Sequence, residues 1–465
     1  MPSAVSVNKD RVIGFSSSLQ KAALAIAVLI VLTSSFDIFF TVNAGGNYRF
    51  CQIVTPPLVF LAVVKGEWGS KIPTLGLVPL SIWFAVQVIF IPVASFWPKS
   101  LGYCLWLFMN ICLVFAFVQL FSRDRSVLLR LIRWYLYSFG LVAAFGVVQF
   151  LLPLLGLPGF LVTQWWIPGV LPRVNGFSYE PSYFATYLLI GFVFVSSLRN
   201  AKAPLLSART MLLIYALTAL GIIVSSSRMG IIFLLIDVFL SQVRPWRSII
   251  GDVLKSRIAP SKLRALVPSL LLTTFLVTIL GTTVVALESR PALMLIFLNG
   301  TGIDDTAAHS VIERADSLEE TIAVFLTHPI IGRSLGGVSS AIADREGESV
   351  HSFEDSKNFE GMSVFAEVLA ASGIIGTVPF VCFLVITIWK PLALARRSGP
   401  FYSALLVAAV RSLLFAWAIL QFNQNVLRTY LWVHLAILAT IYAAARDNTA
   451  SARKLQTPSR YASTV

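Results

Sequence analysis

Seven ionisable residues lie inside or at the ends of strongly apolar segments, where a charge is costly. At the centre of a bilayer an ionised side chain costs about 2.5–3.5 kcal/mol on insertion scales, so each such residue is a candidate functional group. The seven are Asp37, Arg173, Glu180, Arg228, Glu367, Arg411 and Arg428. A structural ion pair between helices is the alternative explanation for each of them.

The arginines of this set indicate an anionic ligand. A guanidinium group binds phosphate oxygens through paired hydrogen bonds and stays charged at physiological pH. Arg173 and Arg228 lie in short segments among glycine and serine residues, and Arg411 lies within an apolar run. A lipid diphosphate would offer phosphates to these three arginines, as would ordinary phospholipid headgroups. Several arginines at one depth favour the diphosphate.

Histidines are candidates for proton transfer, because imidazole titrates near neutral pH. His309, His328 and His351 all fall in one long polar segment. His351 is the best placed of them, between a predicted helix and the next apolar run. His434 lies inside an apolar run, which predicts a packed, hydrogen-bonded side chain.

The sequence lacks the motifs of nucleotide hydrolysis and of metal-dependent catalysis. It has no Walker-type phosphate-binding loop of nucleoside triphosphatases, no HExxH and no paired metal-ligand motif. We therefore expect no metal and no organic cofactor.

Composition excludes a soluble enzyme, a secreted scaffold and a disordered regulator. Of the 465 residues 57% are hydrophobic and only 12% are charged, and the mean hydropathy is +0.81. Soluble proteins average about 25% charged residues. The sequence thus predicts an all-α, polytopic membrane protein.

Twelve apolar segments approach the ~20 residues needed to cross a bilayer. They are 19–40, 50–64, 74–96, 101–121, 134–155, 181–198, 210–225, 229–242, 265–287, 362–388, 399–419 and 429–445. Most lysines and arginines fall in alternate connections, which indicates that those connections and both termini are cytoplasmic. The net charge of +14 is therefore explained without a nucleic-acid partner.

This orientation divides the chain into five parts. Cytoplasmic tails occupy residues 1–18 and 446–465, spans one to nine occupy 19–287, and spans ten to twelve occupy 362–445. Between them, residues 288–361 form one large periplasmic loop. It holds 13 acidic and five basic residues.

Part of the large loop is predicted to be helical. Ser310-Val-Ile-Glu313 fits a capping box, and apolar residues follow it at helical spacing as far as Phe325. His328-Pro329 is expected to end this helix, and the glycines after it indicate turns.

Four short elements between residues 170 and 380 carry a resemblance to a known family. They are Arg173-Val-Asn-Gly-Phe-Ser-Tyr-Glu180-Pro-Ser-Tyr-Phe-Ala185, Ser225-Ser-Ser-Arg228-Met-Gly, Leu326-Thr-His-Pro329-Ile-Ile-Gly332-Arg-Ser-Leu-Gly336 and Ala366-Glu367-Val-Leu-Ala-Ala-Ser-Gly373-Ile-Ile-Gly376. In this order they resemble elements of the O-antigen polymerase/ligase superfamily. The Glu-Pro-Ser form of the first is similar to the exopolysaccharide polymerase branch.

The resemblance implies an inner-membrane glycosyltransferase with a GT-C-like fold. It would act without metal on undecaprenyl-diphosphate-linked saccharides, at the periplasmic face, and invert the anomeric centre. Arg173 and Arg228 would hold the donor diphosphate as it leaves. The same elements supply Glu180, Tyr183 and Glu367 as further substrate-binding candidates. Expected partners are membrane lipids and other polysaccharide assembly and export proteins.

The chain departs from the family at the candidate base. Ligases commonly place a His-Asn pair shortly before the Glu-x-Gly element, whereas this chain has Asn358-Phe-Glu360-Gly361 there and His351 upstream. The catalytic base is therefore His351, Glu360 or no side chain at all.

Three functions remain open on the sequence. A polymerase joins lipid-linked repeat units into an exopolysaccharide or O-antigen, and a ligase transfers the glycan to lipid A-core. The Glu-Pro-Ser form and the missing His-Asn pair favour the polymerase. A secondary transporter or lipid flippase is the alternative of another class, although such proteins usually bind substrate between related halves at broken helices.

Overall fold

The computed structural model describes residues 17–43, 47–65, 75–203, 205–253, 305–361, 363–422 and 426–456, and this part of the chain is mostly helical. The helices are α1 (Ser17–Thr33), α2 (Phe50–Val64), α3 (Leu77–Ile89), α4 (Trp97–Phe121), α5 (Arg125–Leu154), α6 (Pro181–Asn200), α7 (Ala208–Val224), α8 (Arg228–Val253), α9 (Asp305–Thr327), α10 (Val338–Glu346), α11 (Val364–Ala395), α12 (Pro400–Ile419) and α13 (Thr429–Gln456).

Two short antiparallel hairpins depart from the predicted all-α architecture. Strands β1 (Thr41–Asn43) and β2 (Asn47–Arg49) form the first, and β3 (Gln164–Ile167) and β4 (Leu171–Arg173) form the second. Each lies in a connection between helices, so the predicted core remains helical.

Five described helices are long and apolar enough to cross a membrane: α4, α5, α6, α11, and α12 with the 3-10 turn that follows it. Four shorter apolar helices coincide with α1, α2, α3 and α7. The described architecture is thus compatible with a multi-pass membrane protein. The predicted segment 265–287 lies outside the described residues.

Helix α6 is the central helix of the bundle. All residues of its most apolar 18-residue window are buried, and α6 packs against α5, α7, α8 and α12. A helix that is apolar on all sides requires such an enclosed position. Residues at the first turn of α6 therefore lie near the middle of the bundle's end.

That end gathers polar residues from several helices. Lys99 in α4 contacts Glu360, and Arg428, just before α13, contacts both Asp37 after α1 and Tyr183 in α6. We call this region, defined by these five residues, the loop end.

Helix α9 lies in the predicted large loop and ends at Thr327, as His328-Pro329 predicted. Its start was predicted wrongly. The helix begins at Asp305, so Ser310 lies inside it and is not an N-cap. The helix starts before the expected cap because an acidic residue, Asp305, stands in its first turn and alanines, which are good helix formers, follow.

Helix α11 is broken at Gly373, which adopts φ 55° and ψ −169°. A break leaves backbone carbonyls without intrahelical partners. The segment after α9 supplies them, because Arg333 N–H donates to the Ala370 carbonyl (3.0 Å) and Ser334 N–H to that of Ala371 (2.8 Å). The third and fourth sequence elements are thereby joined backbone to backbone.

Gly373→Ala is expected to destabilise the protein. A Cβ at Gly373 would lie 2.3 Å from the Ile330 carbonyl oxygen, at a positive φ. Strained backbone of this kind costs about 1–3 kcal/mol before the clash is added. We expect a lower yield of monodisperse protein in detergent and a lower midpoint of thermal unfolding.

Gly102→Ala is the matched control, since a Cβ at Gly102 in α4 meets no atom within 4 Å. Alanine is a better helix former than glycine, so this variant should be at least as stable as the wild type. Equal stability of the Gly373→Ala variant and the wild type would contradict the proposed close approach.

Candidate active site at the loop end

The structure brings together the segments that carry Arg173 and Arg228. Arg173 ends β4, and Arg228 begins α8 after a serine-rich turn. The indole N–H of Trp166 in β3 donates to Ser226 Oγ of that turn at 3.1 Å. Two arginines that are far apart in sequence therefore lie on neighbouring connections, and both are half-buried.

Hairpin contacts orient Arg173. Its Nη1 donates to Gln164 Oε1 at 2.9 Å, and its guanidinium lies 5.6 Å from the Trp166 ring centroid. The next residue, Val174, donates its backbone N–H to the Val224 carbonyl at 3.4 Å. These contacts limit the directions in which the Arg173 side chain can point.

The serine-rich turn shapes the start of α8. Ser226 adopts a left-handed backbone with φ 54°. Ser227 Oγ accepts from the backbone N–H of Gly230 at 3.3 Å, as an N-cap does. The positive end of the helix dipole adds to the charge of Arg228, and such an end favours anions.

A second basic group surrounds Arg428, which is only 7% exposed. Asp37 accepts from Arg49 Nε at 2.9 Å and from Arg428 Nη1 at 3.3 Å. Arg428 stacks on the Tyr183 ring at 3.4 Å, and Arg49 lies 4.8 Å from the Trp106 ring. Two guanidinium groups thus share one carboxylate, and each lies over its own aromatic ring.

The two basic groups are joined through the segment that follows Arg173. Asp37 donates its backbone N–H to the Phe177 carbonyl at 2.9 Å, and Ser178 Oγ donates to the Ser35 carbonyl at 3.1 Å. Sequence reasoning singled out Asp37 and Arg428 but missed Arg49 and Trp106. No local pattern marks those two, because their partners lie on other helices.

A third polar group holds Glu360. Lys99 Nζ donates to Glu360 Oε1 at 3.1 Å, and the Tyr103 hydroxyl donates to the same oxygen at 3.4 Å. Lys99, 3% exposed, also donates to Ser339 Oγ in α10 at 3.0 Å. The Glu360 carbonyl accepts from Ser317 Oγ in α9 at 3.0 Å. Sequence reasoning selected Glu360 but missed Lys99 and Tyr103.

Glu180 and Glu367 stand at the first turns of two helices. Glu180 is the residue before α6 and accepts from Ser182 Oγ at 2.9 Å. Glu367 is in the first turn of α11 and is half-buried. Tyr183 interacts electrostatically with Glu180, and Tyr103 with Glu367. Glu180 therefore lies near Tyr183 of the loop end, and Glu367 lies near Tyr103, which contacts Glu360.

His351 occupies a different setting, because its side chain is exposed. Its Nε2 is 2.8 Å from Ser349 Oγ, and its backbone N–H donates to Asp355 at 3.4 Å. Hydrogen bonds, chiefly from Ser352, hold the pKa of the Asp355 carboxyl below its usual value. A catalytic role for His351 stays a prediction.

Arg411 is paired with a carboxylate within the bundle. Its Nη2 lies 2.8 Å from Asp237 Oδ1, on α8, and donates to Ser241 Oγ at 3.2 Å. Asp237 is fully buried. Arg411, one of the three arginines predicted to bind diphosphate, therefore forms an ion pair between helices, which favours the structural alternative for this residue.

His434 confirms its predicted role as a packed side chain. Its Nδ1 accepts from the Tyr135 hydroxyl at 2.8 Å, and its Nε2 donates to the Ala409 carbonyl at 2.9 Å. The residue is fully buried in the core of the bundle.

His328 and Arg333 form a contact that requires a neutral imidazole. Arg333 Nη2 donates to His328 Nε2 at 2.8 Å, so the ring proton is on Nδ1, 3.0 Å from Thr327 Oγ1. Desolvation lowers the pKa of His328, and the Arg333 charge lowers it further. Arg333 Nη1 also donates to the Val93 carbonyl at 3.0 Å.

Acidification from pH 7 to pH 5 is expected to weaken the contact between His328 and Arg333. Because the folded-state pKa of His328 is lowered, the stabilisation is complete above its unfolded pKa, about 6.5, and is lost as the pH falls through the folded value. Hydrogen exchange of the amides at Arg333 and Ser334, corrected for intrinsic rates, measures this loss of stabilisation. His328→Asn should remove the pH dependence, and equal wild-type protection at pH 5 and pH 7 would contradict it.

No known family model and no curated protein matches this chain. Within the described ranges, no three or more His, Cys, Asp or Glu side chains form a group suited to a metal ion.

Proposed function

We propose that this protein is an integral-membrane glycosyltransferase that polymerises undecaprenyl-diphosphate-linked repeat units at the periplasmic face of the bacterial inner membrane. In this proposal the chain has twelve spans in a GT-C-like arrangement, and the loop end is the active face. Arg173 and Arg228 bind the diphosphate of the donor, and Tyr183, Glu180 and Glu367 line the rest of the substrate site.

The observation that carries the proposal is the joining of the Arg173 hairpin to the Arg228 turn. The Trp166–Ser226 hydrogen bond joins the hairpin that carries Arg173 to the turn from which Arg228 begins α8, and both arginines are half-buried. Two planar cations and a helix N-terminus are suited to a diphosphate, whose charge rises when its bond to the sugar breaks. Stabilising that leaving group is a way to catalyse glycosyl transfer without metal.

Purified protein in detergent tests the proposal directly. Labelled undecaprenyl-diphosphate repeat units are supplied alone, and a ladder of lengthening saccharide is expected. Transfer of label only after lipid A-core is added would identify a ligase instead. No product under either condition would contradict glycosyl transfer.

The proposed orientation predicts that a cysteine replacing Glu348 is labelled from the periplasm. Glu348 is exposed shortly after α10. A membrane-impermeant maleimide should react with it in spheroplasts, in a background where the exposed native Cys382 is replaced by serine. Reaction only after the cytoplasmic side is opened would overturn the orientation.

One feature favours the transporter alternative. The break of α11 at Gly373 resembles the discontinuous helices that line transport sites. Here, however, the loop segment that contains Arg333 and Ser334 fills the break with backbone hydrogen bonds. Substrate-dependent uptake into proteoliposomes, without any change in saccharide length, would support transport over polymerisation.

A further inference from the structure

We propose that Glu360 is the general base that activates the acceptor hydroxyl, with Lys99 and Tyr103 as its positioning residues. This inference rests on the proposed glycosyl transfer. It selects among the three alternatives that the sequence left open, which are His351, Glu360 and no side chain at all, and it adds two residues on α4 that no motif indicated.

Glu360 is fixed at both its backbone and its side chain. Ser317 in α9 holds its carbonyl at 3.0 Å. Lys99 and Tyr103 both contact Oε1, at 3.1 and 3.4 Å. A residue whose backbone is held from α9 and whose carboxylate is held from α4 loses little additional freedom when a substrate binds, which is the requirement for an effective catalytic group.

The second oxygen of Glu360 remains available. Among the described residues no hydrogen bond to Oε2 is present, and the side chain is 25% exposed. Ionised carboxylates accept hydrogen bonds at both oxygens. Lys99 and Tyr103 thus hold Oε1, and Oε2 can accept a hydrogen bond from a hydroxyl group of an entering saccharide.

Glu360 lies among the other charged groups of the candidate site. Tyr183 interacts electrostatically with Arg428, Glu180 and Glu360, and Tyr103 with Glu360, Glu367 and Arg428. His351 lacks such a setting, because it is exposed and its ring contacts Ser349.

Several hydrogen-bond acceptors hold Lys99 in position. Its ammonium group also donates to Ser339 Oγ at 3.0 Å and to the Ser356 carbonyl at 3.4 Å. A buried ammonium group needs such partners, because an isolated buried charge is very costly. These contacts keep Lys99 beside Glu360, so the carboxylate is already paired before substrate binds.

The step balances in atoms and charge. The acceptor hydroxyl oxygen forms a bond to the anomeric carbon of the donor, and the bond from that carbon to the diphosphate oxygen breaks. The electron pair of the broken bond leaves with the diphosphate, beside Arg173 and Arg228. The hydroxyl proton passes to Glu360 Oε2 and is then released to water.

Glu360→Gln tests the base and keeps the shape of the site. The amide oxygen still accepts from Lys99 and Tyr103, but the side chain no longer takes a proton. General bases contribute about 10²- to 10⁴-fold, so kcat for ladder formation should fall by that factor with KM nearly unchanged. Glu354→Gln is the matched control, because Glu354 is an exposed acid in the same loop paired with Lys357.

Chemical rescue separates a base from a structural carboxylate. In Glu360→Ala, added sodium formate enters the partly exposed space and takes the proton, so kcat should rise with formate concentration. Sodium chloride at equal ionic strength should leave kcat unchanged. A residue needed only for folding would not respond to formate.

Lys99→Met tests positioning through a double-mutant comparison. If Lys99 acts through Glu360, the Lys99→Met/Glu360→Gln variant should be about as active as Glu360→Gln alone. If the double variant instead loses activity by the product of the two single-variant factors, Lys99 acts independently of Glu360 and the positioning role is wrong. Comparable elution of all variants as monodisperse protein keeps the comparison interpretable.

The outcomes distinguish this inference from the proposed function. A wild-type ladder together with full activity of Glu360→Gln would overturn the base assignment and leave glycosyl transfer intact. Loss of activity in His351→Gln with retention in Glu360→Gln would assign the base to His351. Absence of a wild-type ladder would reject the proposed function itself.

Discussion

Replacing Arg173 or Arg228 with alanine is expected to lower ladder formation by roughly 30- to 5,000-fold. Removing one partner of a desolvated charge pair costs about 2–5 kcal/mol, and each 1.36 kcal/mol of barrier corresponds to tenfold in rate. The effect should fall mainly on kcat, because the charge on the diphosphate rises as the donor bond breaks. Initial rates with purified variants in detergent measure it.

Lysine replacements refine this prediction. Arg173→Lys and Arg228→Lys keep the positive charge but lose the planar fork that binds two oxygens, so intermediate rates are expected. Arg345→Ala is the matched control, since Arg345 is an exposed arginine of the predicted outer loop that pairs with Glu320 at 3.1 Å. Full activity of both alanine variants would remove the phosphate role from these residues.

The Arg173 result needs a second control, because this side chain also belongs to the hairpin. Gln164→Ala removes its 2.9 Å hydrogen bond without removing the charge. Activity close to wild type is expected for Gln164→Ala. A defect as large as that of Arg173→Ala would show that hairpin order, rather than the guanidinium charge, is what the reaction requires.

Arg411→Ala is expected to destabilise the fold by about 3–5 kcal/mol, because it leaves the fully buried Asp237 without its partner. Loss of monodisperse protein on heating in detergent measures this change. The variant would also lose activity, so activity alone does not separate a structural role from diphosphate binding.

The double variant Asp237→Leu/Arg411→Met makes that separation. Replacing a buried ion pair by apolar residues of similar volume is often neutral or stabilising. Both stability and ladder formation should therefore return towards wild-type values. Restored stability without restored activity would reinstate Arg411 as a substrate ligand and contradict its structural assignment.

Local sequence patterns predicted most helices well. Apolar length placed α2 and α6 close to their observed bounds, and a proline after His328 correctly ended α9. These features depend on side-chain hydrophobicity and on the missing N–H of proline, which act within a few residues. The start of α9 was missed because a capping motif at Ser310 lies within a longer run of helix-forming residues.

Two glycines show what the sequence motifs did not predict. The sequence presented Gly332 and Gly373 as members of two separate elements. In the structure these two elements meet at the break in α11, where a Cβ on Gly332 would lie 2.2 Å from the Ala371 carbonyl. The spacing within each element gave no indication that the two glycines serve one backbone contact.

By itself, the sequence determined the helical class, the membrane-length apolar segments and the residue types suited to phosphate and proton transfer. Only the tertiary structure decided which charges are neighbours: Arg173 with the Arg228 turn, Glu360 with Lys99, and Arg411 with Asp237. The physical reason is one of range. Hydrophobic periodicity acts along a single helix, whereas an ion pair joins residues whose separation along the chain carries no information about their distance in space.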